Sequence, residues 1–170
     1  TILIDKKPVI GVPVRCGEFM PSKEFLKNIF PVAEDVEKIY KLIPKEAVEN
    51  KIKSMKFYSP KNNCFQFKFD GFILKRDLME QLIAKNASEK GVQIYKANTV
   101  IGLENNPKHK KIMLKNSSGE ITVTARIVIG ADGFPSNVAR WANMKTGYER
   151  SDMAITVQNV ASNIDCENGT

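Results

Sequence analysis

Asp132 stands in the stretch of this chain best suited to chemistry, Ile127 to Arg140, which reads IVIGADGFPSNVAR. Ile127, Val128 and Ile129 make an unbroken β-branched run, which predicts a short strand buried on both faces, as in a parallel sheet. Gly130 and Gly133 bracket the acid, and glycine permits a tight turn and a close backbone approach to a ligand. Pro135 suits the first turn of a following helix, with Val138, Trp141 and Ala142 as its apolar face. The pattern holds one carboxylate at the carboxyl end of a buried strand, where open α/β sheets bind their ligands. A plainer role for Asp132 is to cap that helix.

A second acid, Asp5, follows the apolar run Thr1 to Ile4. Dinucleotide-binding units place an acid at the end of their second strand, about 20 residues after a glycine-rich phosphate loop, where it holds ribose hydroxyls. Asp5 fits that position, and an ordinary strand end accounts for it equally well. The phosphate loop has no counterpart here, so the expectation is of a fragment that lacks its first strand and Gly-x-Gly-x-x-Gly turn.

Other chemistries have little to work with. His109 is the one histidine and sits in Pro107-Lys108-His109-Lys110-Lys111, a solvated turn. Cys16, Cys64 and Cys166 are scattered without Cys-x-x-Cys spacing, which argues against a zinc site or disulfide scaffold and for a reducing compartment. No metal site is expected. The 170 residues, 42% apolar and 26% charged, suit one compact soluble domain, or a domain and a fragment. No stretch approaches the ~20 apolar residues of a membrane span, and no signal peptide is visible. The net charge of +7 is compatible with nucleic acid, an anionic membrane surface or phosphorylated ligands. The lysines are dispersed and no arginine-rich or aromatic RNA-binding motif appears, so a solvated basic surface is favoured and no nucleic-acid partner is expected. Asn86, Asn116 and Asn168 open glycosylation-type triplets that read as chance.

The elements that must position these residues follow from periodicity. Ile10 to Phe19, rich in Gly and Pro, reads as a loop. Ser22 to Lys53 reads as short helices broken at Pro31 and Pro44, with Ser22 capping the first. Phe65, Phe67 and Phe69 alternate with polar residues, a half-buried strand within an antiparallel hairpin set, with turns at Asn62-Asn63 and Asp70-Gly71. Lys75 to Lys90 is the clearest helix. Asp77 and Glu80 make a capping-box-like start, Leu78, Met79, Leu82, Ile83 and Ala87 form the buried stripe, and Gly91 is the stop. Val92 to Tyr95 reads as a parallel strand. Val100 to Leu103, Ile112 to Leu114 and Ile121 to Val123 read as a meander leading back to Ile127, and Ala154 to Val160 begins a further strand.

Two strings carry a family resemblance. Gly130-Ala131-Asp132-Gly133 with Ser136 and Arg140 resembles the second FAD-binding motif of the flavoprotein hydroxylase and geranylgeranyl reductase superfamily. Pro13-Val14-Arg15-Cys16-Gly17-Glu18 narrows the resemblance to archaeal geranylgeranyl reductases, and Leu74-Lys75-Arg76 matches that family's Leu-x-Arg pattern. The resemblance implies a partial Rossmann-like α/β domain for FAD with a three-stranded β-meander and part of an antiparallel substrate-binding sheet. On that basis residues 1–50 and 75–150 belong to the FAD domain, and residues 51–74 and 151–170 to the substrate sheet.

What the resemblance implies for the site is equally specific. Asp132 contacts the ribityl and pyrophosphate region, and Asp5 the adenosine ribose. Arg15 reaches the cofactor phosphates or flavin edge, where a guanidinium can bind in bidentate fashion. Arg76 contacts cofactor, and Gly17, Gly130 and Gly133 line it. Cys16 lies near the isoalloxazine and substrate, as the candidate catalytic residue. Plainer roles stay open for Cys16 as a small buried residue and for Arg76 as a surface arginine. The implied activity is FAD-dependent reduction of isoprenoid double bonds, with an isoprenoid lipid substrate and an external donor, NAD(P)H or a ferredoxin-type protein. The implied location is cytoplasmic, with peripheral association to an anionic membrane surface compatible with the charge. An FAD-dependent aromatic monooxygenase shares the Gly-Ala-Asp-Gly string, and a basic α/β binding module is the non-enzymatic alternative. The stretch by itself is expected to be inactive.

Overall fold

The computed structural model describes residues 1–157, 159, 162 and 163. Along the chain come β1 (Ile2–Ile4), β2 (Phe19–Pro21), α1 (Lys23–Ile29), α2 (Val36–Lys41), β3 (Val48–Tyr58) and β4 (Cys64–Leu74). There follow α3 (Arg76–Glu89), β5 (Gln93–Tyr95), β6 (Thr99–Asn105), β7 (Lys110–Asn116), β8 (Gly119–Ala125) and α4 (Asn137–Trp141). The chain is mixed α/β and forms two units. One joins Thr1–Val9 to Gly91–Thr156, and the other contains Ile10–Lys90.

In the first unit β1 and β5 pair in parallel, with Leu3 opposite Ile94. The ladder runs one residue further, because Asp5 N–H donates to the Tyr95 carbonyl at 2.9 Å. The predicted meander is present as the antiparallel sheet β6-β7-β8. Ile112 and Leu114 lie two residues apart on β7 and so share a face, and both are buried, Leu114 completely. Burial of such a side chain stabilises the fold by about 1.5–3 kcal/mol. α4 rests on β6.

The buried strand expected at Ile127 to Ile129 does not form. Ile127 is 79% and Ile129 is 88% exposed. An apolar run becomes a strand only where a neighbour completes its ladder, and among the described residues no strand pairs with this one. The same holds for Ala154 to Val157, where Ile155 is 98% exposed; Val160, the end of that expected strand, lies outside the described residues, as do Cys166 and Asn168.

The second unit is built on the antiparallel sheet β2-β4-β3. The hairpin β3–β4 turns at Asn62, whose φ is +63, with Ser59 N–H donating to the Asn63 carbonyl at 2.9 Å. β3 starts at Val48, so the stretch read as short helices ends six residues earlier than expected; cross-strand pairing overrode the local helical pattern. Asp70-Gly71 is not a turn but lies inside β4, with Gly71 opposite Pro21 and Ile52. A Cβ on Gly71 would stand 2.4 Å from the Met20 carbonyl and 2.7 Å from the Phe19 ring, so glycine there lets β2 close onto the sheet. Phe19 stacks on Phe69 with centroids 4.5 Å apart, and Phe25 of α1 meets Phe69 edge-on at 4.5 Å. Phe65 and Phe67, expected half-buried, are exposed, because α1 covers only the Phe69 end of that strand.

Ser22 caps α1 as predicted, its Oγ accepting the Phe25 N–H at 3.1 Å. Glu37 of α2 accepts from Lys27 at 2.7 Å and Lys23 at 3.2 Å, and these two ammonium groups, Lys27 first, hold its carboxyl below the usual value. The core is Val36, Ala47, Ile52, Leu74 and Ala84. α3 forms where the sequence placed it and ends before Gly91, but its buried residue is Ala84. Ile83 faces solvent, and Leu78, Met79, Leu82 and Ala87 are half-buried.

Candidate functional site

Asp132 follows an extended run and precedes α4, and its carboxylate organises that helix start. Oδ1 accepts the Ser136 hydroxyl at 2.6 Å. Oδ2 accepts the N–H of Asn137 at 2.7 Å and of Val138 at 3.1 Å. Ser136 is itself the N-cap, its Oγ accepting the Ala139 N–H at 3.1 Å. Pro135 therefore lies before the cap and not in the first turn, because Ser136 takes the capping position. Slight burial pushes the Asp132 carboxyl up; the Ser136 hydroxyl and the Val138 and Asn137 N–H groups outweigh it and hold the carboxyl below its usual value. It is a carboxylate at neutral pH and caps the helix, as the plainer reading had it.

The glycines around it have separate reasons. A Cβ on Gly130 would come within 2.9 Å of a Val138 methyl, so the loop can close over α4 only with glycine there. Gly133 has φ +80, a conformation that side chains disfavour, and open space where a Cβ would stand. Asp5, in the same unit, ends β1. Its Oδ1 accepts the Lys7 N–H at 2.9 Å, and its own carbonyl accepts Asn98 N–H at 3.1 Å.

In the second unit Cys16 and Arg76, 60 residues apart, come together, with Arg76 Nη1 at 3.6 Å from Cys16 Sγ. Arg76 Nε donates to Glu80 Oε1 at 2.8 Å, one helical turn on. That bond to Glu80 outweighs partial burial and raises the guanidinium's already high pKa, so Arg76 is a permanent cation. The expected capping box is absent: Asp77 Oδ1 accepts the Leu78 N–H at 2.8 Å, and Glu80 is occupied by Arg76. The N–H of Arg76 is taken by Glu18 at 3.2 Å. Arg15 and Gly17 are exposed, and Gly17 has open space around it. Cys16 and Cys64 are both free thiols. Among the described residues no group of three or more His, Cys, Asp or Glu is placed to hold a metal ion.

The sequence reading missed Glu18 and undervalued Glu80. Glu80 carries a legible signal, an acid four residues after an arginine on a helix. Glu18 carries none, because its partner is 58 residues away.

A parallel strand pair ending in an acid, and a glycine-bracketed carboxylate at a helix start, are features met in α/β folds that bind nucleotide cofactors. The chain belongs to the FAD binding domain family, whose model matches residues 72–167, and its cofactor is FAD. The chain is similar to the digeranylgeranylglycerophospholipid reductase of Methanocaldococcus jannaschii, 28% identical over 97% of this chain and 40% of that one. Against the reductase of the same name from Thermoplasma volcanium the identity is 30%, over 98% of this chain and 42% of that one. The chain thus spans about 40% of the length of these relatives. Among solved structures, a geranylgeranyl bacteriochlorophyll reductase-like protein from Thermoplasma acidophilum matches with a TM-score of 0.65 at 25% identity, over 85% of this chain and 36% of that one. The p-nitrophenol 4-monooxygenase of Pseudomonas putida shares the fold, with a TM-score of 0.58 at 11% identity, over 84% of this chain and 37% of that one.

The residues present fit FAD. Asp132 Oδ1 accepts the Ser136 hydroxyl and Oδ2 two backbone N–H groups, so the carboxylate is held in place at the helix start. Gly133, beside Asp132, has open space where a Cβ would stand. Among the described residues no helix is long and apolar enough to cross a membrane.

Proposed function

We propose that this chain is the cofactor-binding portion of a flavoenzyme that reduces isoprenoid double bonds of membrane lipids or prenyl precursors. The observation that carries the reading is similarity over nearly the whole chain to reductases of digeranylgeranylglycerophospholipid. Bound FAD supplies a hydride from its reduced ring, and the protein's part is to bind, orient and exclude water.

The roles proposed for single residues are these. Asp132 accepts a hydroxyl of the ribityl and pyrophosphate region, and Asp5 the adenosine ribose hydroxyls. Gly130 and Gly133 allow backbone to approach the cofactor. Arg15 and Gly17 meet the phosphates or the flavin edge, Arg76 adds a fixed positive charge, and Cys16 stands near the isoalloxazine and substrate. Residues 1–50 and 75–150 are proposed as part of the FAD domain, and residues 51–74 as part of the substrate sheet. An external donor, NAD(P)H or a ferredoxin-type protein, supplies the electrons, and the enzyme works at an anionic membrane surface.

The test uses full-length protein. Purified protein is expected to be yellow, and its chemically reduced form to be reoxidised anaerobically by a geranylgeranyl lipid, with saturated product detected by mass spectrometry. Oxygen-dependent turnover of a phenol without lipid saturation would establish the monooxygenase instead. Colourless protein that takes up no FAD would overturn both.

A further inference from the structure

Glu18 fastens two distant parts of the second unit. Its carbonyl accepts the Leu74 N–H at 2.8 Å, and its Oε1 accepts the Arg76 N–H at 3.2 Å. It does so with φ +58, in the left-handed region that residues with side chains seldom occupy. Strain of this kind persists only where surrounding bonds determine it.

The two bonds fall on the junction where β4 ends and α3 begins. The first N–H groups of a helix have no partner within it. The N-cap residue of α3 is Lys75, which makes no side-chain capping bond. The Glu18 carboxylate satisfies one of these N–H groups and puts negative charge at the positive end of the helix.

The loop that Glu18 closes touches α3 at three other points. Gln81 Nε2 donates to the Ile10 carbonyl at 3.2 Å. Gly11, with φ +80, lies so close that a Cβ there would be 2.8 Å from Asp77 Cα. Cys16 Sγ receives Arg76 Nη1 at 3.6 Å. Residues 10–18 are therefore a strap laid along the first turns of α3. Without its last fastening, Arg76 would keep Glu80 but lose both the bond to its N–H and the fixed place of the thiol beside it.

We propose that Glu18 is a positioning residue, which holds the Cys16 loop on α3 and so sets the place from which Arg76 presents its guanidinium to the cofactor. The proposal rests on the reading that Arg76 contacts FAD, and the experiment separates the two. In full-length protein, hydrogen exchange at the start of α3 and FAD affinity by flavin fluorescence are measured for Glu18→Ala, Glu18→Gln, Arg76→Met and Glu18→Ala/Arg76→Met. Glu18→Ala is expected to speed exchange of the Arg76 amide about tenfold and to weaken FAD about tenfold, the worth of one hydrogen bond. Glu18→Gln, which keeps an acceptor, is expected to restore most of both. Because Glu18 acts through Arg76, the double variant is expected to bind FAD no more weakly than Arg76→Met alone. Unchanged exchange in Glu18→Ala, or losses that multiply in the double variant, would overturn the proposal while leaving Arg76 a cofactor residue. Wild-type affinity in Arg76→Met would defeat the Arg76 reading and, with it, any role of Glu18 through that residue. If Glu18→Ala folds poorly, Glu18→Gly removes the same acceptor and suits the left-handed backbone.

Discussion

Asp132 and Ser136 form a closed pair at the start of α4: the serine hydroxyl donates to Asp132 Oδ1 at 2.6 Å while its own oxygen accepts the Ala139 N–H at 3.1 Å. With Oδ2 accepting two further N–H groups, one carboxylate aligns the loop and the first turn together.

That arrangement gives Asp132→Ala an expected cost in FAD binding. A hydrogen bond to a charged group contributes about 1.5–3 kcal/mol, or roughly a ten- to hundredfold rise in Kd. Flavin fluorescence titration of the full-length variant measures it. Unchanged affinity would leave Asp132 as a helix cap and nothing more.

The same carboxylate couples stability to pH. Its folded pKa lies below the ordinary value of 3.8. Its contribution is therefore present above that value and is lost as pH falls through the lower, folded one. Thermal unfolding between pH 5 and pH 2, a window of about that position, is expected to show a smaller acid loss in Asp132→Asn than in the wild type. Parallel curves would show that the carboxylate is not stabilised in the folded state.

Arg76 and Glu80 separate stability from binding. Their side chains are 42% and 33% exposed, so the pair is a surface ion pair, worth about 0.3–0.5 kcal/mol at helical spacing. Glu80→Gln is expected to shift the denaturation midpoint barely at all. Arg76→Met is expected to weaken FAD binding with an equally small change in midpoint. A large stability loss in either would mean that the pair holds the fold and not the cofactor.

Gly71 makes a test of the sheet. Its Cβ position is 2.4 Å from the Met20 carbonyl, a backbone atom that cannot swing away. Gly71→Ala is expected to destabilise the protein by about 1–3 kcal/mol, the range of overpacking, read as a lowered Tm. A neutral result would show that β2 does not press on β4 in solution.

The helix α3, the hairpin β3–β4, the meander and the parallel strand β5 were all legible in the sequence, because each is encoded by a period of 3.6 or 2 and by nearby turn residues. The Gly130, Asp132 and Gly133 cluster was legible for the same reason, since its parts are close in sequence and bonded to α4 within six residues. Ser22 as a cap needed only its own local helix.

What only the tertiary structure decided involves partners far apart. Ile127 to Ile129 carries a strand pattern, but a strand requires a neighbour's ladder, and periodicity says nothing about whether one is supplied. Gly71 reads as a turn until β2 is laid against it. Arg76 reads as a cation with only Glu80 in reach until folding brings Cys16 to its guanidinium and Glu18 to its N–H. The sequence by itself determined which local elements form and which residues are chemically able to meet a cofactor. Folding determined which of them are held in place, because a hydrogen bond spanning 58 residues depends on chain topology and leaves no local pattern to read.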